Sequence, residues 1–189
     1  MKLILASGSP RRKKFLEELG LDFQIIPSTE EEVINEDLPM DERVKELALQ
    51  KAKNVLKKVK DCAVLSADSV VVFDGKIIGK PKDASDAVRI LKSLSGKYHE
   101  VKTAFAFISD TFFYNETVTS KVLFNELSDE FILNYVATGS PLDKAGAYGI
   151  QDGNIVNAFE GSYTNIIGLP MERVTQILTA EDFLPKRRN

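Results

Sequence analysis

The stretch Ser7-Gly8-Ser9-Pro10-Arg11-Arg12 has the residue types of an anion site. Leu3 to Ala6, just before it, is a continuous apolar run that reads as a buried strand. Ser7-Gly8-Ser9 turns the chain, Ser9 can N-cap a helix, and Pro10 takes the first helical position, where a missing N–H costs nothing. A strand feeding through small residues into a helix N-terminus aims backbone N–H groups at one point, which suits phosphate above other anions. Arg11 and Arg12 add charge in the first turn. Arg12 stands three before Phe15 and four before Leu16, and Arg11 four before Phe15, so both lean toward the apolar stripe of that helix. Arginines paired with ordinary acids near a helix start fit the same spacing.

Five further places in the chain could take part in such chemistry. Asp68 sits in Cys62 to Phe73, an apolar, β-branched run, and period-2 alternation puts it on one face with Val64, Val70 and Val72. A carboxylate there is costly unless it is paired or binds metal, which makes Asp68 the leading catalytic candidate. Lys51 shares the apolar face of a helix with Leu47 and Val55, either snorkelling to water or serving as a phosphate ligand. Glu30-Glu31-Glu32 reads as an exposed acidic loop or as the source of one metal-binding carboxylate. Lys80 follows the hairpin turn Asp74-Gly75, which returns it along the hairpin toward the end that carries Asp68. Gln151 ends the glycine-rich stretch Ala145-Gly146-Ala147-Tyr148-Gly149-Ile150-Gln151 and offers a donor and an acceptor, as the edge of a base requires.

The elements that must position these groups alternate between α and β. A helix from Pro10 to Leu19 stops at Gly20, and Phe23 to Ile26 is a strand stopped by Pro27. Residues 41 to 59 repeat apolar positions at helical spacing, and 62 to 73 form a strand that bends or lies centrally. Lys76 to Ile78 pairs back on it. A helix over 85 to 94 is capped by Asp83 or Ser85. Strands over 101 to 109 and 112 to 124 follow, with His99 just before the first as a structural histidine. Ser128 caps a helix over 129 to 137, 155 to 159 is a strand, and Leu169-Pro170 opens a last helix. Lys186-Arg187-Arg188-Asn189 reads as a frayed basic tail.

The 189 residues suit one large domain or two lobes sharing a core. A net charge of −3, with no basic stripe interleaved with aromatics, disfavours nucleic acid as a partner. One cysteine, Cys62, precludes a disulfide within the chain and fits a reducing cytoplasm, and no apolar segment is long enough for a membrane span. One histidine rules out a Cys/His metal site, so any metal should be hard and oxygen-bound.

In order and spacing, several stretches together resemble the Maf family, also called the septum-formation inhibitor family. They are Leu5-Ala6-Ser7-Gly8-Ser9-Pro10-Arg11-Arg12, Leu47-Ala48-Leu49-Gln50-Lys51-Ala52, Ala67-Asp68-Ser69-Val70-Val71, Gly79-Lys80-Pro81, Leu94-Ser95-Gly96, Ala145 to Gln151, and Gly168-Leu169-Pro170. The resemblance covers nearly the whole chain. It implies an elongated α/β fold like that of inosine-triphosphate pyrophosphatases, one domain over 1–189 whose long mixed sheet and flanking helices form two lobes around a nucleotide cleft. It implies a homodimer, a divalent cation (Mg²⁺ or Mn²⁺), and hydrolysis of a nucleoside triphosphate to monophosphate and pyrophosphate. Asp68 matches the family's proton acceptor and Glu32 its acidic partner. Ser7, Arg11, Arg12, Lys51 and Lys80 match its polyphosphate contacts, and Ser9 belongs to the same loop. Arg12, Ser69 and Gln151 match the three discriminating positions of the branch that prefers dTTP and UTP. Ser69 keeps the hydroxyl where Thr is common, and Asp152 stands where Gly often follows the Gln.

These residues imply a mechanism in which cations offset the triphosphate charge before water approaches. Arg11, Arg12, Lys51, Lys80 and the helix N-terminus would supply that offset. Glu32 and Asp68 would hold the metal, and Asp68 would take a proton from water. The rival expectation is a nucleotide-binding regulator that arrests cell division through a protein partner, which needs the arginine loop but neither acid.

Overall fold

Leu3, Ile4 and Leu5 are almost wholly buried, so the strand that carries them, β1 (Lys2–Leu5), lies inside a sheet and not at its edge. It pairs in parallel with β2 (Phe23–Ile25) on one side and β3 (Cys62–Phe73) on the other. The structure, a computed structural model, describes residues 1–185; the basic tail expected at 186–189 lies outside the described residues. With β4 (Lys76–Ile78), β5 (Tyr98–Ile108), β6 (Phe113–Phe124) and β7 (Val156–Glu160) the sheet has seven strands, in the order β2-β1-β3-β5-β6-β7, with β4 antiparallel on β3. Among the described residues six α-helices accompany it: α1 (Pro10–Glu18), α2 (Met40–Leu56), α3 (Ala84–Leu94), α4 (Asp129–Ala137), α5 (Tyr163–Ile167) and α6 (Met171–Ala180). The expected mixed α/β class is what the chain adopts. No helix among the described residues is long and apolar enough to cross a membrane.

The chain divides into two compact units, each with its own core. The first holds Met1–Asp68, Thr103–Val118 and the chain from Gly168 on. Its core gathers Leu3, Leu5, Leu16, Leu65, Phe105, Phe107, Leu169 and Leu178. The second holds Ser69–Lys102 and Thr119–Ile167, around Val71, Ile90, Leu91, Leu94, Val122, Phe124 and Tyr148. The strand β3 passes from the first unit to the second between Asp68 and Ser69.

Local chemistry explains most of the element ends. Gly20, at φ 70°, closes α1: its amide donates to the Glu17 carbonyl and that of Leu21 to the Leu16 carbonyl, the paired bonds of a left-handed helix stop. Asp74 and Gly75 both have positive φ, as a two-residue hairpin turn demands. Asp83, not Ser85, caps α3, its side chain accepting from the Asp86 amide at 2.8 Å. Several boundaries shift from expectation, and two of the shifts have a clear local description. The helix α2 ends at Leu56, not Val59, because the Lys58 and Val59 amides turn to carbonyls three residues back, which tightens the last turn. β5 begins at Tyr98, so His99 is inside the strand, buried, with Nε2 2.8 Å from the Tyr148 hydroxyl. The five-residue α5 is too short to show a period in sequence.

Candidate active site

In the first unit, Ser7 leaves β1 buried and becomes an acceptor for its own loop. Its Oγ accepts from the Ser9 amide at 3.3 Å and from Arg12 Nη1 at 3.1 Å. Ser9 occupies the N-cap position of α1, and its carbonyl accepts from the Lys13 amide, but its hydroxyl makes no capping bond. The expected side-chain cap is therefore absent: the loop is folded by Ser7, and Ser9 contributes backbone alone.

Arg12 is half-buried, with Nε donating to the Gly168 carbonyl at 2.8 Å. Burial lowers its pKa from the usual guanidinium range to about 10; the negative charges of Asp68 and Glu32 pull it up, while Arg11 pushes it down. It remains a cation at neutral pH, in low dielectric, held by a backbone carbonyl and a hydroxyl. Arg11 is also half-buried. The sequence expectation that both arginines lean inward holds.

Lys51 projects from the apolar face of α2, beside the buried Leu47, Ala48, Ala52 and Val55. Its ammonium does not snorkel to water: it pairs with Asp68 on β3 and lies 3.2 Å from Glu32 Oε1. The side chains of Lys51 and Asp68 are each 17% exposed and that of Glu32 32%, so the three charges share a partly desolvated spot. Ser66 Oγ donates to the Ala48 carbonyl at 2.6 Å and ties β3 to α2 just before Asp68. Of the three consecutive acids, Glu30 turns to Lys58 at 3.1 Å, and Glu32 reaches Lys51.

Two positioning groups escaped sequence reasoning. Gln50 Nε2 donates to the Val33 carbonyl at 2.9 Å and Gln50 Oε1 accepts from the Val33 amide at 3.0 Å. This two-bond clamp on the residue after Glu32 orients the acidic loop, and its only signal was an amide next to Lys51. The Gly168 carbonyl that holds Arg12 carried no side-chain signal at all.

The carboxylates of Glu32 and Asp68 converge on one cationic point, now filled by an ammonium. Oxygen donors of that kind fit a hard divalent ion. Among the described residues no group of three or more His, Cys, Asp or Glu side chains converges. Two carboxylates, completed by phosphate oxygens and water, is the usual Mg²⁺ arrangement.

The other expected site residues belong to the second unit. Ser69 is half-buried, directly after Asp68 on β3. The β3–β4 register, Val71 opposite Ile78, runs toward Ser69 opposite Lys80, although strand pairing ends at Ile78. Lys80 is exposed, and the carbonyl of Gly79 accepts from the Gly146 amide at 3.1 Å. That bond joins the Gly79-Lys80-Pro81 turn to the glycine-rich stretch, and Gly146 presses so closely on β3 that a Cβ there would stand 2.7 Å from Val71 Cγ2. Gln151 ends the stretch with an exposed side chain. Ser69, Lys80 and Gln151 thus ride on segments that pack against one another.

Comparison with known proteins identifies the family and the fold. The Maf-like protein family matches residues 2–181. A relative from Acetivibrio thermocellus named dTTP/UTP pyrophosphatase is 47% identical over 189 residues, covering 94% of each chain. Relatives with the same name from Bdellovibrio bacteriovorus, at 42% identity over 94% of this chain and 97% of theirs, and from Aquifex aeolicus, at 43% over 94% of each, are similar throughout. Among solved structures, the Staphylococcus aureus Ham1 protein shares the fold, with a TM-score of 0.54 and 14% identity over 96% of this chain and 100% of that one. By the match along almost its whole length and by these relatives, the chain belongs to the Maf-like protein family.

Proposed function

We propose that this chain hydrolyses dTTP and UTP at the α–β phosphoanhydride, releasing the nucleoside monophosphate and pyrophosphate. The observation that carries this reading is the Glu32–Lys51–Asp68 constellation in the same unit as the half-buried cation Arg12. The names of the relatives support the choice of substrate.

Arg12, Arg11 and the N-terminus of α1 bind the phosphates and spread their charge. Lys51 is poised between carboxylates and a phosphate oxygen, and Lys80 adds a second ammonium. Asp68 accepts one proton from water as the water oxygen bonds to phosphorus and the α–β bridge breaks toward pyrophosphate. Ser69 and Gln151, with Arg12, select the pyrimidine base. Glu32 and Asp68 would hold Mg²⁺ or Mn²⁺, which, when bound, neutralises phosphate charge. The active form is a cytoplasmic homodimer; the free, buried thiol of Cys62 fits a reducing compartment.

The test is incubation of the purified chain with UTP or dTTP and Mg²⁺ or Mn²⁺, with product analysis. UMP or dTMP and pyrophosphate are expected, and Asp68→Asn should remove turnover while the protein stays folded. Nucleotide binding without product would leave only a regulator, and near-normal pyrophosphate release by Asp68→Asn would remove the assigned base.

A further inference from the structure

We propose that a polar cluster of Tyr135, Ser140, Lys144 and Asp152 is a positioning device for Gln151, and so sets how sharply this chain discriminates between bases. The inference rests on the reading of Gln151 as the base-contacting residue.

Gln151 is exposed and sits in a turn closed by the Asp152 amide donating to the Gly149 carbonyl at 3.0 Å. A side-chain amide on such a turn gains selectivity only if the backbone beneath it is fixed before the ligand arrives. Both ends of this turn are fixed from below. The Tyr135 hydroxyl, reaching up from α4, accepts from the Gly149 amide at 3.2 Å and donates to Asp152 Oδ2 at 2.7 Å. One phenol therefore bridges the first and last residues of the turn. Ser140 Oγ donates to the same Oδ2 at 2.8 Å. Lys144 Nζ stands 3.7 Å from it, and donates to the Ser140 carbonyl at 2.6 Å and Oγ at 2.9 Å.

The preceding residue is anchored as firmly. Tyr148 is 5% exposed, its hydroxyl bonded to His99 and its ring 4.6 Å from that of Phe124. At Gly149 a Cβ would stand 3.0 Å from the Asp152 carboxylate, so a side chain there would press on the buttress itself. Three residues, Gly149, Ile150 and Gln151, are thus strung between a buried aromatic and a buttressed carboxylate. Burial pushes the Asp152 carboxyl pKa up, but hydrogen bonds from Tyr135 and Ser140 and the charge of Lys144 more than offset it, so the group stays ionised and its acceptor role is constant at neutral pH.

The experiment compares UTP with CTP in Tyr135→Phe, Asp152→Ala, Asp152→Asn, Gln151→Ala and the double variant Asp152→Ala/Gln151→Ala. Tyr135→Phe keeps the ring and removes only the bridge. It should raise KM for UTP by about tenfold while kcat falls less than threefold, and narrow the UTP-over-CTP ratio in kcat/KM by about tenfold. Asp152→Ala should do the same, and Asp152→Asn, which still accepts from Tyr135 and Ser140, should recover part of the ratio. The double variant should rank the nucleotides as Gln151→Ala alone does, since a residue acting through Gln151 adds nothing once it is gone. The Kd ratio for the two nucleotides in an Asp68→Asn background reads the same discrimination without turnover. If Gln151→Ala narrows the ratio but folded Tyr135→Phe and Asp152→Ala keep it, the positioning role is overturned and the base-reading role stands. If Gln151→Ala itself leaves the ratio intact, both are overturned.

Discussion

Arg12→Met separates two contributions that the folded protein combines. The wild-type guanidinium gives one bond to the Gly168 carbonyl at 2.8 Å and one to Ser7 Oγ at 3.1 Å. Hydrogen bonds from a charged group are worth about 1.5–3 kcal/mol each, so the pair contributes roughly 3–6 kcal/mol. Against this stands the net cost of holding the charge there, burial partly offset by Asp68 and Glu32: the fall of the pKa to about 10 corresponds to roughly 3 kcal/mol. Methionine returns the burial cost, keeps much of the stem packing and forfeits the bonds. The net loss of stability should be only about 0–3 kcal/mol by the same figures. Activity should respond differently. A cation aimed at phosphate acts like a preorganised transition-state donor, whose removal costs about 10²–10³ in kcat. Arg12→Lys keeps charge but lacks the fork that serves two acceptors and a phosphate together, so it should lose most of that factor too.

The assay is pyrophosphate release from UTP at saturating Mg²⁺, beside urea midpoints of the same preparations. A folded Met variant within fivefold of wild-type activity would refute the reasoning, and so would a Met variant that unfolds, since Arg12 would then be a structural prop. The pH dependence carries a sign. The folded pKa lies below the unfolded one, so the burial cost is present in full below about pH 10 and is relieved as pH rises through that value. The contribution of Arg12 to rate should accordingly be nearly flat from pH 6 to 9, falling by about ten per cent at the upper end.

His99 yields an acid-side prediction: burial lowers its pKa from 6.5 to about 4, so stability is fully present above pH 6.5 and falls as pH drops toward 4. At pH 5 the loss should be about 2 kcal/mol, and a His99→Gln urea titration should lack that share; identical pH profiles would count against it. Gly146→Ala places a methyl 2.7 Å from Val71 Cγ2 at φ 70° and should cost about 2–5 kcal/mol, of which adding Val71→Ala recovers the overpacking part but not the backbone part. Lys51→Met leaves Glu32 and Asp68 without their shared cation. Its melting temperature in metal-free buffer should fall by an amount equivalent to about 1–3 kcal/mol, and Mn²⁺ should restore part of it. An equal response to Mn²⁺ in wild type and variant would argue against a common point for the two cations.

What the chain discloses before folding, and what it withholds, follows from how each group is held. Asp68 could be picked out because strand alternation places a carboxylate on a face with Val64, and only a paired or functional acid tolerates that. Lys51 could be picked out because helical spacing sets it among Leu47 and Val55; the structure then decided between water and a carboxylate partner. Periodicity reports the face a side chain occupies and nothing about the carbonyl or hydroxyl that meets it. Arg12 is held by a backbone oxygen 156 positions away, and a carbonyl has no residue type to read. Glu30 and Glu32 are alike in charge and only two apart, so no periodicity ranks them and only the family resemblance favoured Glu32; the Gln50 clamp on Val33 and the pull of Lys58 separate them after folding. The same holds for Tyr135 and Asp152, 17 apart and joined by one hydroxyl, whose bond exists only once α4 is packed beneath the turn. Side chains that do chemistry are therefore legible where burial makes them expensive, whereas those that aim them are inexpensive polar residues whose role is defined by a partner remote in sequence.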